Sequence, residues 1–284
     1  MSAVTTGVPA REAMDSALVA LRAAGVDSPR LDAELLLAEA LGVRREELLT
    51  GDHVVAGPAV RRFQDLVRRR AMDREPVAYL LGRRAFRNLD LAVDPRALIP
   101  RPETELLVEL AVAGLPQGAR VVDVGTGSGA IALALVDERA DLGVTGSDVD
   151  AGALAVARSN GERLGLDVEW VAADGVPGAG CARAVSPGET RRAHPWDAVV
   201  ANPPYVADGD QLPPEIARHE PPHALRAGPE GLDVLRMLAT QAIGVPFVAF
   251  EHGADQGAAV RDLLGSGAAT HRDLAGHERV TVRC

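Results

Sequence analysis

Between residues 120 and 251, short apolar runs alternate with helix-period stretches, and no other feature of the chain restricts its fold as much. The runs are Arg120–Val124, Val144–Val149, Val168–Ala172, Ala198–Ala201 and Phe247–Glu251. Short strands that alternate with helices at this rhythm form a parallel, doubly wound α/β sheet. Residues 278–283 (ERVTVR) alternate apolar with polar and are expected as an edge strand.

The first 82 residues follow a different pattern, expected to give a small all-helical domain. Met14, Leu18 and Leu21 recur at helical spacing before Gly25 supplies a stop. Ser28-Pro29 opens a second helix, which carries Leu31, Leu35, Leu36 and Leu41 and ends at Gly42. A third is expected from Pro58 to Met72, with Phe63, Leu66 and Val67 inward. Phe86, Leu89, Leu91 and Val93 then suggest a short hairpin. The expected organisation is a helical domain over 1–82, a hairpin linker over 83–97, and a larger α/β domain over 98–284.

Composition narrows the function classes. The chain has 284 residues, 47% of them hydrophobic but only 3% aromatic, so its core must be aliphatic. Thirty Lys and Arg against 40 Asp and Glu give a formal charge of −10, which disfavours a large nucleic-acid footprint. Cys181 and Cys284, one in a Gly/Ala-rich stretch and one at the last position, form neither a disulfide framework nor a metal site. A reducing cytoplasm is therefore favoured. No signal-peptide pattern opens the chain, and no apolar stretch is long enough to span a membrane. A metal-free, cytoplasmic monomer is expected.

The first buried strand runs into Val121-Val122-Asp123-Val124-Gly125-Thr126-Gly127-Ser128-Gly129 and then a helix. Glycines at such a turn tolerate positive φ and let backbone approach a ligand, although a plain tight turn uses the same residues. The spacing is not the dinucleotide G-x-G-x-x-G, so a pyrophosphate is not implied. Asp123, just inside the strand end, could meet a cationic group. Asp148 ends the second strand, where doubly wound folds hold a ribose diol, and Asp150 is placed to cap the next helix. A positively charged nucleoside without phosphate is implied, a description that S-adenosylmethionine fits.

The fourth strand stops at Asn202-Pro203-Pro204-Tyr205, and Tyr205 is one of two tyrosines in the chain. The two prolines remove backbone donors and hold Asn202 extended. Fixed carbonyl acceptors, the Asn202 amide oxygen and a flat ring together suit a planar NH2 group. A strand-closing proline turn is the simpler alternative. An amide nitrogen is a poor nucleophile, so positioning and preorganised electrostatics must supply much of the rate.

These segments resemble the HemK/PrmC family, the protein-(glutamine-N5) methyltransferases of peptide chain release factors. The resemblance runs from about Arg70 to the carboxyl terminus. It rests on REPVAYLLG (74–82), IPRPETELLVE (99–109), VVDVGTGSGAIA (121–132), GSDVDAGALAVARSN (146–160), DAVVANPPYV (197–206), EPPHAL (220–225), EHGADQG (251–257) and RDLAGHERV (272–280). It implies a seven-stranded class I methyltransferase sheet behind a helical substrate-recognition domain. It also implies that S-adenosylmethionine, leaving as S-adenosylhomocysteine, binds Gly125, Thr126, Gly127, Ser128, Gly129 and Asp148. Asn202, Pro203, Pro204 and Tyr205 would hold the glutamine of a Gly-Gly-Gln loop, with Asn202 also near the cofactor.

In the RPETE segment, Pro102, Glu103 and Glu105 suit a helix start. The resemblance suggests that Arg101 and Glu103 also shape the pocket wall. Two departures stand out. Family members often carry an aromatic after the strand-three acid to cover adenine, whereas Gly175 follows Asp174 here. The Gly/Pro-rich stretch 175–195, expected as an exposed loop, is also longer than expected.

Three other readings compete. A glutamine methyltransferase of a ribosomal protein would share every motif. An adenine-N6 nucleic-acid methyltransferase would share NPPY, yet it needs a basic recognition region and a means of flipping a base. The Arg68-Arg69-Arg70 cluster is more simply a helix end with cations at its negative pole. A silent binding module would be favoured by a damaged glycine loop or a missing Asn202, and neither is seen.

Overall fold

A computed structural model describes residues 7–179 and 194–284, in two units. The expected loop over 175–195, with Cys181, falls mostly outside the described residues.

The first unit comprises the residues up to Gly82 together with Pro213–His219. Its helices are α1 (Ala10–Ala23), α2 (Pro29–Leu41), α3 (Arg45–Thr50), α4 (Pro58–Arg68) and α5 (Val77–Leu81). Pro29 and Pro58 occupy first-turn positions, where a missing N–H costs nothing, and Gly42 ends α2 at φ 69°. The helix expected to reach Met72 is α-helical only to Arg68, then widens into a π-turn over Arg69–Asp73. The unit is also not purely helical, because β1 (Val8–Pro9) pairs with β2 (Val54–Val55). Two-residue strands carry no alternation from which to foresee them. Leu21, Leu36, Leu37, Phe63 and Leu66 form the core.

Arginines 68 to 70 are each matched by acids inside this unit. Arg68 pairs with Asp65 and Asp73, and Arg69 with Glu75. Buried Arg70 reaches Asp32 at 2.7 Å and Glu215 at 3.0 Å. Glu215 also takes Arg74, so one carboxylate fastens the 213–219 segment to this unit. Removing Glu215 alone would strand buried cations, the costly way to break such a network.

The second unit begins with the hairpin β3 (Arg83–Phe86) and β4 (Leu89–Ala92). A seven-stranded sheet follows, built from β5 (Arg120–Val124), β6 (Gly143–Asp148), β7 (Glu169–Ala172), β8 (Ala198–Ala201), β9 (Phe247–Glu251), β10 (Ala268–Arg272) and β11 (Glu278–Arg283). Its order is β10-β11-β9-β8-β5-β6-β7, parallel from β9 to β7 and antiparallel at β11 and β10. This is the mostly parallel sheet of class I methyltransferases. Residues 278–283 are not its edge: β11 lies between β9 and β10, and the edge is Ala268–Arg272. That edge (AATHR) has too weak an alternation to be read as a strand.

Alternate residues of the central strands feed two aliphatic cores. Val121, Val200 and Ala249 pack with Leu107 and Leu133 on one face. Val122, Val199 and Val248 pack with Leu235, Leu238 and Val260 on the other. Each fully buried Val or Leu contributes about 1.5–3 kcal/mol. Helices α6 (Glu105–Gly114) and α7 (Ala130–Glu138) supply part of the first face. The helices Asp233–Gln241 and Gly257–Leu264 supply part of the second. The chain leaves β5 towards β6 and β7, then returns to β8 on β5's other side. The carboxyl ends of β5 and β8 therefore flank the switch point, where such sheets bind ligands.

Candidate active site

The glycine loop is shaped by what lies behind it. Gly125 and Gly127 have φ of 72° and 57°, and open space surrounds the place where a Cβ would stand on Gly125. Gly129, at φ 84°, has no such room, because Trp170 would meet an added Cβ at 3.0 Å. The same indole would stand 2.4 Å from a Cβ on Gly146. These two glycines are packing requirements, whereas Gly125 and Gly127 keep backbone open to the cavity.

Asp123 faces inward. It is fully buried, and its Oδ2 accepts from the Thr126 hydroxyl at 2.6 Å and from the Ala132 amide at 3.2 Å. Burial, with some help from the Asp148 charge, pushes its carboxyl up to about 7 despite those two bonds. Asp123 thus ties the loop to the first turn of α7. Thr126 and Ser128 are buried as well, and the Ser128 carbonyl accepts from the Asn160 side chain. Asn160, in helix α8 (Ala151–Leu164), also exchanges two hydrogen bonds with the Ala92 backbone. One buried amide so joins the hairpin to the glycine loop.

Asp148 bridges the tip of β6 and that loop. Its Oδ2 accepts from the Gly127 amide at 3.0 Å and its Oδ1 from the Asp150 amide at 2.9 Å. A carboxylate oxygen can accept more than one hydrogen bond, so each keeps a lone pair for a diol. Asp150 caps α8 as expected, accepting from the Ala153 amide at 2.9 Å.

A cavity opens between the two strand ends. Gly125, Gly127 and Asp148 border one side, Asn202, Pro203 and Pro204 another. Leu98, Val149, Met237, Leu238 and His223 contribute to its largely apolar wall, which Asp174 and Gly175 also border. The Asn202 Nδ2 donates to the buried Thr104 hydroxyl at 3.0 Å. One of the amide's two N–H donors is therefore engaged, which turns the nitrogen end of the side chain towards Thr104 and the oxygen end away from it.

The segment after Asn202 is pinned from behind. Gln256 donates to the Tyr205 carbonyl at 3.0 Å, and the Arg226 guanidinium donates to the carbonyls of Ala207, Asp208 and Asp210. Tyr205 turns its hydroxyl towards buried Glu251 at 3.5 Å. Burial and that neighbouring carboxylate push the phenol up to about 12.

Against this geometry, two family models match the chain: the PrmC N-terminal domain over residues 12–82 and the methyltransferase small domain over 102–220. A release factor glutamine methyltransferase of Xylella fastidiosa (strain Temecula1) is 43% identical, across 95% of this chain and 99% of its own. The chain belongs to the release factor glutamine methyltransferase family. A relative of the same name from Pseudomonas aeruginosa is 44% identical over 90% of this chain and 93% of its own. The solved release factor-specific protein-(glutamine-N5) methyltransferase of Alicyclobacillus acidocaldarius is 30% identical. It covers 68% of this chain and 97% of that one, with a TM-score of 0.40.

For a member of this family, the sequence-marked residues fall into three sets. Gly125, Gly127, Asp148, Asn202, Pro203 and Pro204 meet at the cavity. Asp123 lies behind the loop, and Thr126, Ser128 and Gly129 are its inward-facing members, which set its shape. Arg101 and Glu103 do not border the cavity. Arg101 pairs with buried Glu220 at 2.6 Å, and Glu103 lines a separate groove with Glu105, Glu109 and Arg272. Tyr205 lies outside the cavity wall, beside Glu251.

Gly175 has a local explanation. At φ 85°, an added Cβ would stand 2.1 Å from the side-chain oxygen of Gln241, which accepts from the Val176 amide at 2.7 Å. Gln241 thus occupies the space an aromatic at 175 would need. The apolar wall residues lay outside sequence reasoning because a Leu or Met lining a ligand has the same pattern as one in a core.

Proposed function

We propose that this chain transfers the methyl group of S-adenosylmethionine to the side-chain nitrogen of the glutamine in the Gly-Gly-Gln loop of a peptide chain release factor. The observation that carries the proposal is the Asn202–Thr104 hydrogen bond. It commits the amide nitrogen inward and leaves an acceptor across the cavity from Asp148. A planar NH2 group brings two donors to such acceptors, whereas an ionised carboxylate brings none.

The cavity residues fit the cofactor. Asp148 has lone pairs left for two ribose hydroxyls, and Gly125 and Gly127 present backbone without a side chain in the way. Leu98, Val149, Met237 and Leu238 offer an apolar wall for the adenine in place of an aromatic at 175. When bound, S-adenosylmethionine supplies an electrophilic methyl group on a positively charged sulfur.

The chain's own residues then act by positioning. The Asn202 oxygen and the neighbouring Pro203 carbonyl accept the two amide hydrogens, fixing the nitrogen's rotation. As the nitrogen bonds to carbon, its hydrogens become more acidic and these hydrogen bonds strengthen, which is where catalysis gains. After transfer one proton passes from the nitrogen to solvent, so the products are a neutral N-methyl amide and S-adenosylhomocysteine. The helical unit is proposed to recognise the release factor.

Incubation with methyl-labelled S-adenosylmethionine and purified release factor, ribosomal proteins or DNA tests the assignment. Label in release factor supports it. Label confined to a ribosomal protein or to adenine transfers the assignment to that substrate.

A further inference from the structure

Glu251 ends β9 with no exposed surface, directly behind the Asn202–Tyr205 segment. Its Oε1 faces the Tyr205 hydroxyl, and its Oε2 is buried without a hydrogen-bond partner. A buried carboxylate left half satisfied is expensive, so its retention calls for a reason. Thr104, also buried, donates no fully formed hydrogen bond to this carboxylate but lies close enough to lower its pKa, and it accepts from the Asn202 side chain.

We propose that Thr104 and Glu251 are positioning residues that decide which end of the Asn202 amide faces the acceptor nitrogen. The inference rests on the role of Asn202 given above and deepens it.

A threonine hydroxyl can accept from the amide's NH2 or donate to its oxygen, and these choices orient the asparagine oppositely. Beside Thr104, a negative carboxylate attracts the hydroxyl proton. The hydroxyl's lone pairs are then left for Asn202 Nδ2, and the Asn202 oxygen remains outward. Without that charge, the hydroxyl is free to donate to Asn202, and the clamp would present donors to a substrate that also brings donors.

The carboxylate is sensitive to pH in the range that matters. Burial holds Glu251 up at about 7; the Thr104 hydroxyl, Arg279 and the Tyr205 hydroxyl oppose the rise, and Glu103 adds to it. Once protonated, Glu251 carries an O–H of its own. Thr104 can accept it and turn its hydroxyl towards the Asn202 oxygen. Turnover therefore rises with pH as Glu251 ionises.

The full-length chain can be tested in two ways. With release factor and saturating S-adenosylmethionine, Thr104→Val is expected to lower turnover roughly ten- to hundredfold. Cofactor affinity and the KM for release factor should stay within about threefold, and Thr104→Ser should restore most of the rate. The wild-type rate should climb through pH about 7, and Glu251→Gln should lose that climb. Thr104→Val turning over like wild type, or the same pH profile in both proteins, would overturn the inference.

The second readout needs no substrate. Asn202 is one of only three asparagines, so its side-chain amide is resolvable in protein carrying isotope-labelled asparagine. Its resonance should titrate with a midpoint near 7 in wild type and not in Thr104→Val; a resonance insensitive to pH in both refutes the pair. A wild-type chain that shows this titration yet leaves release factor unlabelled refutes the substrate assignment and not the positioning pair.

Discussion

The Asp148 carboxylate accepts the Gly127 amide proton over 3.0 Å, and so links the tip of β6 to the loop leaving β5. Asp148→Ala removes both that tie and the lone pairs proposed for the ribose. Affinity for S-adenosylmethionine should fall by about 1.5–3 kcal/mol, the range for hydrogen bonds to a charged group. Asp150→Ala should instead lower stability by about 1 kcal/mol as a lost helix cap. Calorimetry and denaturant unfolding of the two variants separate the roles, and reversed results would exchange them.

Gly231 supports Tyr205 by having no side chain. A Cβ there would stand 2.2 Å from the Tyr205 carbonyl oxygen, and φ is already 70°. Backbone cannot swing aside as a side chain does, so Gly231→Ala should destabilise the fold by about 1–3 kcal/mol. It should also slow methyl transfer by displacing the Asn202–Tyr205 segment. Urea unfolding and single-turnover rates check both, and an unperturbed variant would show that the segment yields easily.

Asp123 and Glu251 both hold their protons up to about pH 7 in the folded chain, chiefly because burial penalises the charged form. A raised carboxyl pKa stabilises the fold fully below the unfolded value near 4. That stability is lost as pH rises through 7. Asp123→Asn keeps an oxygen for Thr126 and Ala132 but does not titrate. Wild type should therefore lose about 2–3 kcal/mol relative to Asp123→Asn between pH 5 and 8. A stability difference that stays constant with pH would show that Asp123 is ionised throughout.

The centre of the sheet was legible because strands buried on both faces, as β5, β8 and β9 are, must be written largely in apolar residues such as Val, Ala and Phe. The edge Ala268–Arg272 was not, since pairing with β11 rather than its own pattern makes it a strand. The cavity residues Gly125, Gly127, Asp148 and Asn202 were legible because their chemistry is local. Asn160, Arg226, Gln241 and Gln256 were not. Each acts by hydrogen-bonding backbone distant in sequence, and an isolated polar residue carries no periodic mark of such a partner. Arg101 and Glu103 lie within a strongly marked segment, yet its marks are those of a helix start.

Asn202 should matter to chemistry more than to binding. Asn202→Ala is expected to lower turnover by about two to three orders of magnitude, comparable to losing an oxyanion-hole partner. Cofactor affinity should change by less than about 1 kcal/mol. Tyr205→Ala removes a ring that packs behind the cavity, so it should slow turnover by loosening the segment that carries Asn202 and leave cofactor affinity close to wild type. Single-turnover kinetics at saturating cofactor measure both effects. A near-normal rate in Asn202→Ala would reduce the asparagine to a strand terminator.

The claim that a planar amide is the acceptor is tested most directly by changing one atom of the substrate. A release factor whose Gly-Gly-Gln glutamine is replaced by glutamate has no NH2 to clamp. Both release factors would be incubated with the chain and methyl-labelled S-adenosylmethionine, and the label mapped to a residue by mass spectrometry. The account predicts one methyl group on the glutamine nitrogen of the native loop and none on the glutamate loop. Equal labelling of the two, or label placed outside that loop, would contradict it.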